Sequence, residues 1–69
     1  MTSNMTAVLD ALRAECENKE LGWADVYLDN AKALLPEMTT NSFRATLSAL
    51  SARGFYRPID SYAWGKVKL

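Results

Sequence analysis

Residues 39–57 read TTNSFRATLSALSARGFYR, and this stretch decides the fold that we expect of the whole chain. Its large apolar residues recur at steps of four and three, the spacing of a stripe along one side of an α-helix: Phe43, Leu47 and Leu50. The pair Thr39-Thr40 precedes the stripe as an N-cap, and Gly54 follows it as the left-handed residue that closes a helix. The sequence therefore predicts a helix over residues 40–53.

The side of this helix opposite the apolar stripe is small, neutral and hydrogen-bonding, with one arginine nearby. It consists of Asn41, Ala45, Ser48 and Ala52, flanked by Arg44 and Ser51. An ordinary solvent-facing helix carries Glu and Lys at such positions. A face without long side chains can approach another surface closely.

Downstream of Gly54 the composition changes to strand-forming residues, which are Phe55, Tyr56, Ile59, Tyr62, Trp64 and Val67. Residues 66–69 alternate polar and apolar side chains, and Asp60 and Ser61 are turn residues. The sequence predicts a β-hairpin over about residues 55–69 with its tip near Asp60-Ser61. Pro58 argues for an edge or a bulge near that tip.

Two further helices are expected upstream, over about residues 4–17 and 23–35. The first has a stripe of Met5, Val8, Leu9, Leu12 and Cys16, with Ser3 or Asn4 as its N-cap. The second has one apolar arc on a helical wheel, made of Trp23, Ala24, Tyr27, Leu28, Ala31, Leu34 and Leu35. Pro36 ends it because proline cannot continue the hydrogen-bond ladder. Met38 is expected to fill the corner that follows.

Composition excludes several classes of function. The chain has 69 residues, no histidine and one cysteine, so it has room for one small domain and no disulfide framework or Cys/His zinc site. The sequence contains neither a glycine-rich phosphate loop nor a nucleophile with an adjacent base. We therefore expect a protein that is not an enzyme and that needs no metal or other cofactor.

The charged residues are divided unevenly along the chain. Residues 1–42 carry three basic and seven acidic residues, a net charge of −4, and residues 43–69 carry five basic and one acidic, a net charge of +4. This division predicts a basic working surface on the C-terminal half. Chance fluctuation in a small sample of charges is the alternative.

The apolar runs are short, and the N-terminus lacks the pattern of a secretory signal. These observations predict a cytoplasmic protein without a membrane partner. Cys16 is then expected to be a small core residue in a reducing compartment.

The order helix, helix, short corner, helix, glycine and hairpin resembles bacterial winged helix-turn-helix regulators of the MarR and ArsR type. Those regulators usually have a Thr or Ser cap, three apolar residues at steps of four and three, a glycine followed by an apolar residue, and often a basic start to the first wing strand. The matching residues here are Thr40, then Phe43, Leu47 and Leu50, then Gly54-Phe55 and Tyr56-Arg57. The resemblance covers about residues 5–69 and assigns no specific family. It implies an α+β, mainly helical fold, namely a three-helix winged helix-turn-helix with a C-terminal β-hairpin wing. The chain departs from the pattern in its short corner at residues 36–38 and in its short wing.

The resemblance also implies a small sequence-specific DNA-binding protein, bacterial or phage, that regulates transcription or serves as a phage or plasmid accessory factor. Its third helix would enter the major groove of double-stranded DNA. Asn41 suits adenine, Arg44 suits guanine or a phosphate, and Ala45 suits a thymine methyl. The candidate positions on this helix are Thr39, Thr40, Asn41, Ser42, Arg44, Ala45 and Ser48. For the polar ones the alternative is simple solvent exposure or, at Thr40, helix capping.

The hairpin would supply Arg57, Lys66 and Lys68 for phosphates on the DNA backbone. Strand alternation puts Trp64 on the same face as the two lysines, and Val67 and Leu69 on the other. If about four phosphates are neutralised, log K should fall against log salt with a slope near −3 to −4.

Two other partners are left open by the sequence. A homodimer would supply a second half-site, and the first helix, with Met5 and Leu9, is the expected dimer surface. Alternatively, the chain is a winged-helix protein-interaction module or an inhibitor of a host enzyme. That role would use an acidic face on the first two helices, made of Asp10, Glu17, Asp25 and Asp29.

Overall fold

The computed structural model describes residues 1–60 and 63–69, and it has an α+β architecture of three helices and a four-stranded antiparallel sheet. In chain order the elements are α1 (Ser3–Ala14), β1 (Cys16–Glu20), β2 (Trp23–Tyr27), α2 (Leu28–Ala33), α3 (Thr40–Ala52), β3 (Tyr56–Pro58) and β4 (Trp64–Lys68). Across the sheet the strands lie in the order β1-β2-β4-β3. Strands that lie far apart in the chain are thus neighbours at the centre of the sheet.

Helix α1 buries the expected stripe but differs from the prediction at both ends. Its N-cap is Thr2, whose hydroxyl oxygen accepts a hydrogen bond from the Met5 backbone N–H at 3.1 Å, and not Ser3 or Asn4. The helix ends at Ala14 rather than near residue 17, because the chain turns into strand β1 at Cys16. The Cys16 side chain packs, partly buried, against the core.

The predicted second helix is wrong over its first half. Residues 23–27 form β2, which pairs with β1 on one side and with β4 on the other, and only Leu28–Ala33 are helical. Alternation explains the difference: Ala24 and Val26 point into the core, and the residues between them do not. The helix still ends ahead of Pro36, as expected.

A tight turn joins β1 to β2. Leu21 and Gly22 both have positive φ, 53° and 82°, as in the two-residue turns that suit the twist of a hairpin. The Leu21 side chain is 92% exposed. A register irregularity lies between Glu17 and Glu20, and Asn18 within it also has a positive φ, of 53°.

Helix α3 agrees closely with the sequence prediction, since it covers residues 40–52. Thr39 caps it, with the side-chain oxygen accepting a hydrogen bond from the Ser42 backbone N–H at 3.1 Å. Gly54 follows with φ of +82°, the conformation that glycine adopts at low cost. The expected stripe is buried and consists of Phe43, Leu47 and Leu50.

The C-terminal hairpin is also present, with β3 and β4 paired antiparallel. Pro58 lies in β3, which is an edge strand, as its missing N–H requires. Asp60 stabilises the connection by accepting hydrogen bonds from the backbone N–H groups of Ala63 and Trp64. The predicted positions of Ser61 and Tyr62 lie outside the described residues.

The helices cover one face of the sheet, and the core lies between these two layers. The largest fully buried side chains come from both layers and are Leu12, Leu50, Val8, Val26 and Val67. A Cβ at Gly65 would overlap the ring of Tyr56, so the glycine leaves the space that the tyrosine side chain occupies. Among residues 1–60 and 63–69, no helix has the length and apolar character needed to cross a membrane.

Candidate functional site

The solvent side of α3 is exposed along its length. The exposed residues on it include all six of the small or polar set noted in the sequence: Asn41, Arg44, Ala45, Ser48, Ser51 and Ala52. Arg44 is the one charged side chain of the helix. Thirteen residues at about 1.5 Å each make this face about 20 Å long.

The two threonines at the start of α3 have different roles. The Thr39 hydroxyl oxygen caps the helix, so Thr39 has the capping role that was one interpretation of Thr40. Thr40 is exposed, whereas Ser42 is half-buried. The Ser42 carbonyl accepts a hydrogen bond from the buried Thr46 hydroxyl at 2.7 Å. Thr40 and the first backbone N–H groups of α3 are therefore the groups at this end that can meet an anion.

A shallow groove of about 340 Å³ separates the C-terminal half of α3 from β3. Its lining includes Arg44, Ser48, Asp60 and Tyr56. Burial is the main cause that raises the pKa of Tyr56, and Asp60 raises it further while Arg44 lowers it. One carboxylate thus lies close to the only cation of the helix face.

The three cations predicted for the hairpin lie elsewhere. Arg57 is opposite Lys66 in the sheet, and both alternate with residues that point into the core. Lys68 has the same orientation as Lys66 because it is two residues further along β4. All three belong to the side of the sheet that faces away from the helices. The basic residues of the C-terminal half therefore do not form a single surface with the exposed side of α3.

We call this side of the sheet the outer sheet face. It consists of residues from all four strands, which are Glu17, Glu20, Trp23, Asp25, Tyr27, Arg57, Trp64, Lys66 and Lys68. Its acidic residues are on β1 and β2, and its basic residues are on β4 and β3. The charge therefore changes sign once across the sheet, at the boundary between the two central strands.

Two of these cations already have partners within the face. The Lys66 ammonium donates a hydrogen bond to an Asp25 carboxylate oxygen at 2.9 Å, and this bond lowers the pKa of Asp25. The Arg57 guanidinium carbon lies 4.5 Å from the centre of the Trp23 ring, a cation–π contact. Because of these contacts, the Lys66 ammonium and the Arg57 guanidinium are less available to bind DNA phosphates.

Three aromatic rings complete the outer sheet face, and each is half-buried. The rings of Tyr27 and Trp64 meet edge to face with their centres 5.2 Å apart. Both tryptophans of the chain, Trp23 and Trp64, are on this face. The helical-wheel analysis missed Trp23 and Tyr27 as outer-face residues. Their burial alternates with that of Ala24 and Val26 in the structure, but the five residues 23–27 do not alternate between polar and apolar types in the sequence.

The acidic helical face expected for a protein partner does not form as predicted. Asp10 is on α1 and Asp29 is on α2, but Glu17 and Asp25 are cross-strand partners in the sheet. Within residues 1–60 and 63–69, no group of three or more acidic or cysteine side chains is arranged to hold a metal ion.

Comparison of the chain with protein-family models, with curated proteins and with solved structures found no match.

Proposed function

We propose that this chain is a small DNA-binding domain of the winged helix-turn-helix type, with α3 as the helix that enters the major groove. The observation that carries the proposal is the exposed face of α3, which is free of acidic residues and has no long side chain except Arg44. B-form DNA has a major groove about 12 Å wide, and this width admits one α-helix.

The order of elements from α2 to β4 supports this proposal. A helix, a corner, a second helix, a glycine and a hairpin follow one another as in the winged-helix pattern. The N-terminal part differs, because the β1–β2 hairpin takes the place of half of the expected second helix. The corner between α2 and α3 covers residues 34–39 and is longer than the predicted 36–38, because α2 ends at Ala33.

Each exposed side chain of α3 suits a particular part of DNA. The Asn41 amide can make two hydrogen bonds to adenine, and the Arg44 guanidinium can make two to guanine. Ala45 allows close approach to a thymine methyl group. Ser48 can donate to, or accept from, a base edge one turn further along. Thr40 and the helix N-terminus would contact a phosphate.

The salt dependence of binding distinguishes two versions of this proposal. Each neutralised phosphate contributes about −0.9 to the slope of log K against log salt. Contacts from Arg44 and from Arg53, which is exposed at the end of α3, would give a slope of about −1 to −2. A slope near −3 to −4 requires the cations of the outer sheet face to reach the DNA backbone as well.

The decisive experiment places a carboxylate on the proposed interface. Ala45→Glu should weaken binding to a short labelled duplex by at least about tenfold, because the new charge repels phosphate and fills the space needed for close approach. Thr6→Glu makes the same addition on the exposed side of α1 and should leave affinity unchanged. Fluorescence anisotropy at low salt measures both. Equal affinity of Ala45→Glu and the unmodified chain, or no duplex binding at all, would refute the proposal.

A second candidate function is a protein-interaction module, and one observation favours it. The Lys66–Asp25 and Arg57–Trp23 contacts engage two of the chain's cations internally. Retention on a heparin column at low salt separates the two candidates. A DNA-binding domain should be retained, whereas a module for another protein should elute without delay.

For the DNA-binding domain, the biological role that we propose is regulation of transcription or an accessory function for a phage or plasmid.

A further inference from the structure

We propose that two copies of this chain associate through their outer sheet faces, related by a two-fold axis parallel to the strands. The proposal does not depend on DNA binding by α3, which is on the other side of the molecule's core. It rests on the aromatic content of the face and on the arrangement of its charges.

The composition of the outer sheet face is typical of the centre of a protein interface. Trp, Tyr and Arg are enriched there, and Trp23, Tyr27, Trp64 and Arg57 supply all three types. The rings are half-buried within one chain, so each retains apolar surface that a second layer could cover. Antiparallel sheets commonly stack face to face about 10 Å apart.

The charge pattern fixes how the second copy must lie. The middle row of the face reads Glu17, Asp25, Lys66 and Arg57 across the four strands, two negative charges followed by two positive ones. Here a row means a set of cross-strand partners, one from each strand. A two-fold axis parallel to the strands reverses the order of the strands across the sheet, and it leaves each row at the same position along the strands. It brings β1 of one copy over β3 of the other, and β2 over β4.

Every position in that row then faces an opposite charge. The strand positions of Glu17 and Arg57 lie over each other, and so do those of Asp25 and Lys66. To meet Glu17 of the other copy, the Arg57 guanidinium leaves the Trp23 ring that it contacts within one chain. The internal Asp25–Lys66 pair becomes part of an alternating set of four charges, which offsets the cost of its desolvation. An in-plane axis perpendicular to the strands would instead place like charges over each other, and this arrangement is strongly disfavoured.

The rows above and below are self-complementary as well. Trp23 is opposite Lys68 within one chain, so the rotation brings Lys68 of one copy over Trp23 of the other. Once Arg57 has turned toward Glu17, the Lys68 ammonium can take its place on the Trp23 ring. Tyr27 is opposite Trp64, so four aromatic rings meet at the other end of the face. The same rotation thus gives favourable contacts in all three rows: opposite charges in the middle, a cation on an aromatic ring at one end, and aromatic rings together at the other.

Other surfaces are less suited to self-association. Met5 and Leu9, expected to line a dimer surface on α1, are only 6% and 3% exposed and belong to the core of one chain. The sheet edges are protected, since β1 is charged and irregular and β3 is short and contains Pro58. Within the described part of the chain, the outer sheet face is therefore the surface that we assign to the second copy.

The size of the face predicts a weak dimer. Four strands spaced about 4.8 Å apart and five residues of about 3.4 Å each cover roughly 17 by 19 Å. A standard interface buries about 800 Å² on each partner, more than this face offers when flat. We therefore expect a dissociation constant in the micromolar range, which sedimentation equilibrium measures directly.

Charge-swapped variants test the proposed arrangement. Glu17→Lys alone and Arg57→Glu alone each place like charges over one another in the homodimer, and each should weaken self-association by about tenfold or more. An equimolar mixture of the two variants restores both opposite-charge contacts and should dimerise about as tightly as the unmodified chain. A variant that had merely misfolded would not be rescued by mixing.

A matched control variant tests whether the position of the charge change matters, and not the change itself. Glu37→Lys makes the same charge change at the exposed corner before α3 and should leave the dimer intact.

Because both tryptophans are on the outer sheet face, dimerisation should protect their fluorescence from quenching by acrylamide as the protein concentration rises. A monomer at millimolar concentration, or a mixture that stays monomeric, would overturn the proposal. So would quenching by single-stranded oligonucleotide in a chain that remains monomeric, because the face would then belong to nucleic acid.

Discussion

At the scale of single residues, Leu21 combines two unfavourable properties. Its φ of 53° lies in the left-handed region, where a Cβ approaches the following carbonyl oxygen, and its side chain is 92% exposed. Asn and Gly are the residues that two-residue hairpin turns prefer at this position. Strain of this kind in a surface turn is often retained for a reason other than stability.

Leu21→Asn should therefore stabilise the fold by about 1 kcal/mol, because asparagine adopts the left-handed conformation at lower cost. For a domain of this size, the melting temperature should rise by roughly 4–8 °C in a thermal denaturation followed by circular dichroism.

Leu34→Asn is the matched control. Leu34 is also exposed, but its φ of −76° is ordinary, so the same substitution relieves no strain. An equal rise in both variants would mean that loss of exposed apolar surface, and not backbone conformation, is responsible.

At the scale of elements, Val26 shows why helical periodicity predicts the wrong element for residues 23–27. The helical wheel gathers Trp23, Ala24 and Tyr27 into one arc but leaves Val26 outside it. In the structure Val26 is completely buried, and it shares the inner side of β2 with Ala24. Five residues are too few to separate the two periods when apolar side chains satisfy both. Helix α3 has no such ambiguity, because its cap, its stripe and its closing glycine all agree.

The cap of α3 provides a prediction for this element. Thr39→Ala should lower the free energy of unfolding by about 1 kcal/mol, since it leaves the Ser42 N–H without its side-chain acceptor. Thr39→Ser should preserve most of the stability. Chemical denaturation with urea measures all the variants.

Thr40→Ala provides the comparison at the next position, where the side chain is exposed and makes no cap. If Thr40→Ala proves as destabilising as Thr39→Ala, the helix begins one residue later than described.

At the scale of the whole molecule, the sequence predicts local features better than long-range ones. The helix at 40–52 and the hairpin after it have signals within a few neighbouring residues. The pairing of β2 with β4 joins Asp25 to Lys66, which are 41 residues apart, and no local pattern specifies it. For the same reason the candidate site was only half predictable. The exposed face of α3 follows from helical periodicity, whereas the separation of Arg57, Lys66 and Lys68 from it depends on the sheet.

The Asp25–Lys66 pair links the acidic and basic halves of the chain, and stability should depend on its ionisation. Because the Lys66 hydrogen bond lowers the pKa of Asp25 from 3.8, folding favours the ionised carboxylate. This contribution is present above about pH 4 and is lost as the pH falls through the lowered pKa. Asp25→Asn should therefore show a shallower loss of stability in that range, measured by urea denaturation at low protein concentration.

Asp29→Asn removes an exposed carboxylate from α2 without disturbing the pair between β2 and β4, and it is the matched control. Identical acid profiles for Asp25→Asn and the unmodified chain would show that the pair does not contribute to folding.

The position of Cys16 makes the outermost strand of the sheet accessible to kinetic measurement. This single thiol lies half-buried at the start of β1, with its sulfur 3.1 Å from the Arg13 carbonyl oxygen. Because the side chain packs against the core, a modifying reagent should react with the sulfur faster when β1 separates from β2 than in the closed sheet. The rate of thiol labelling under native conditions therefore reports how often this edge opens while the rest of the domain stays folded.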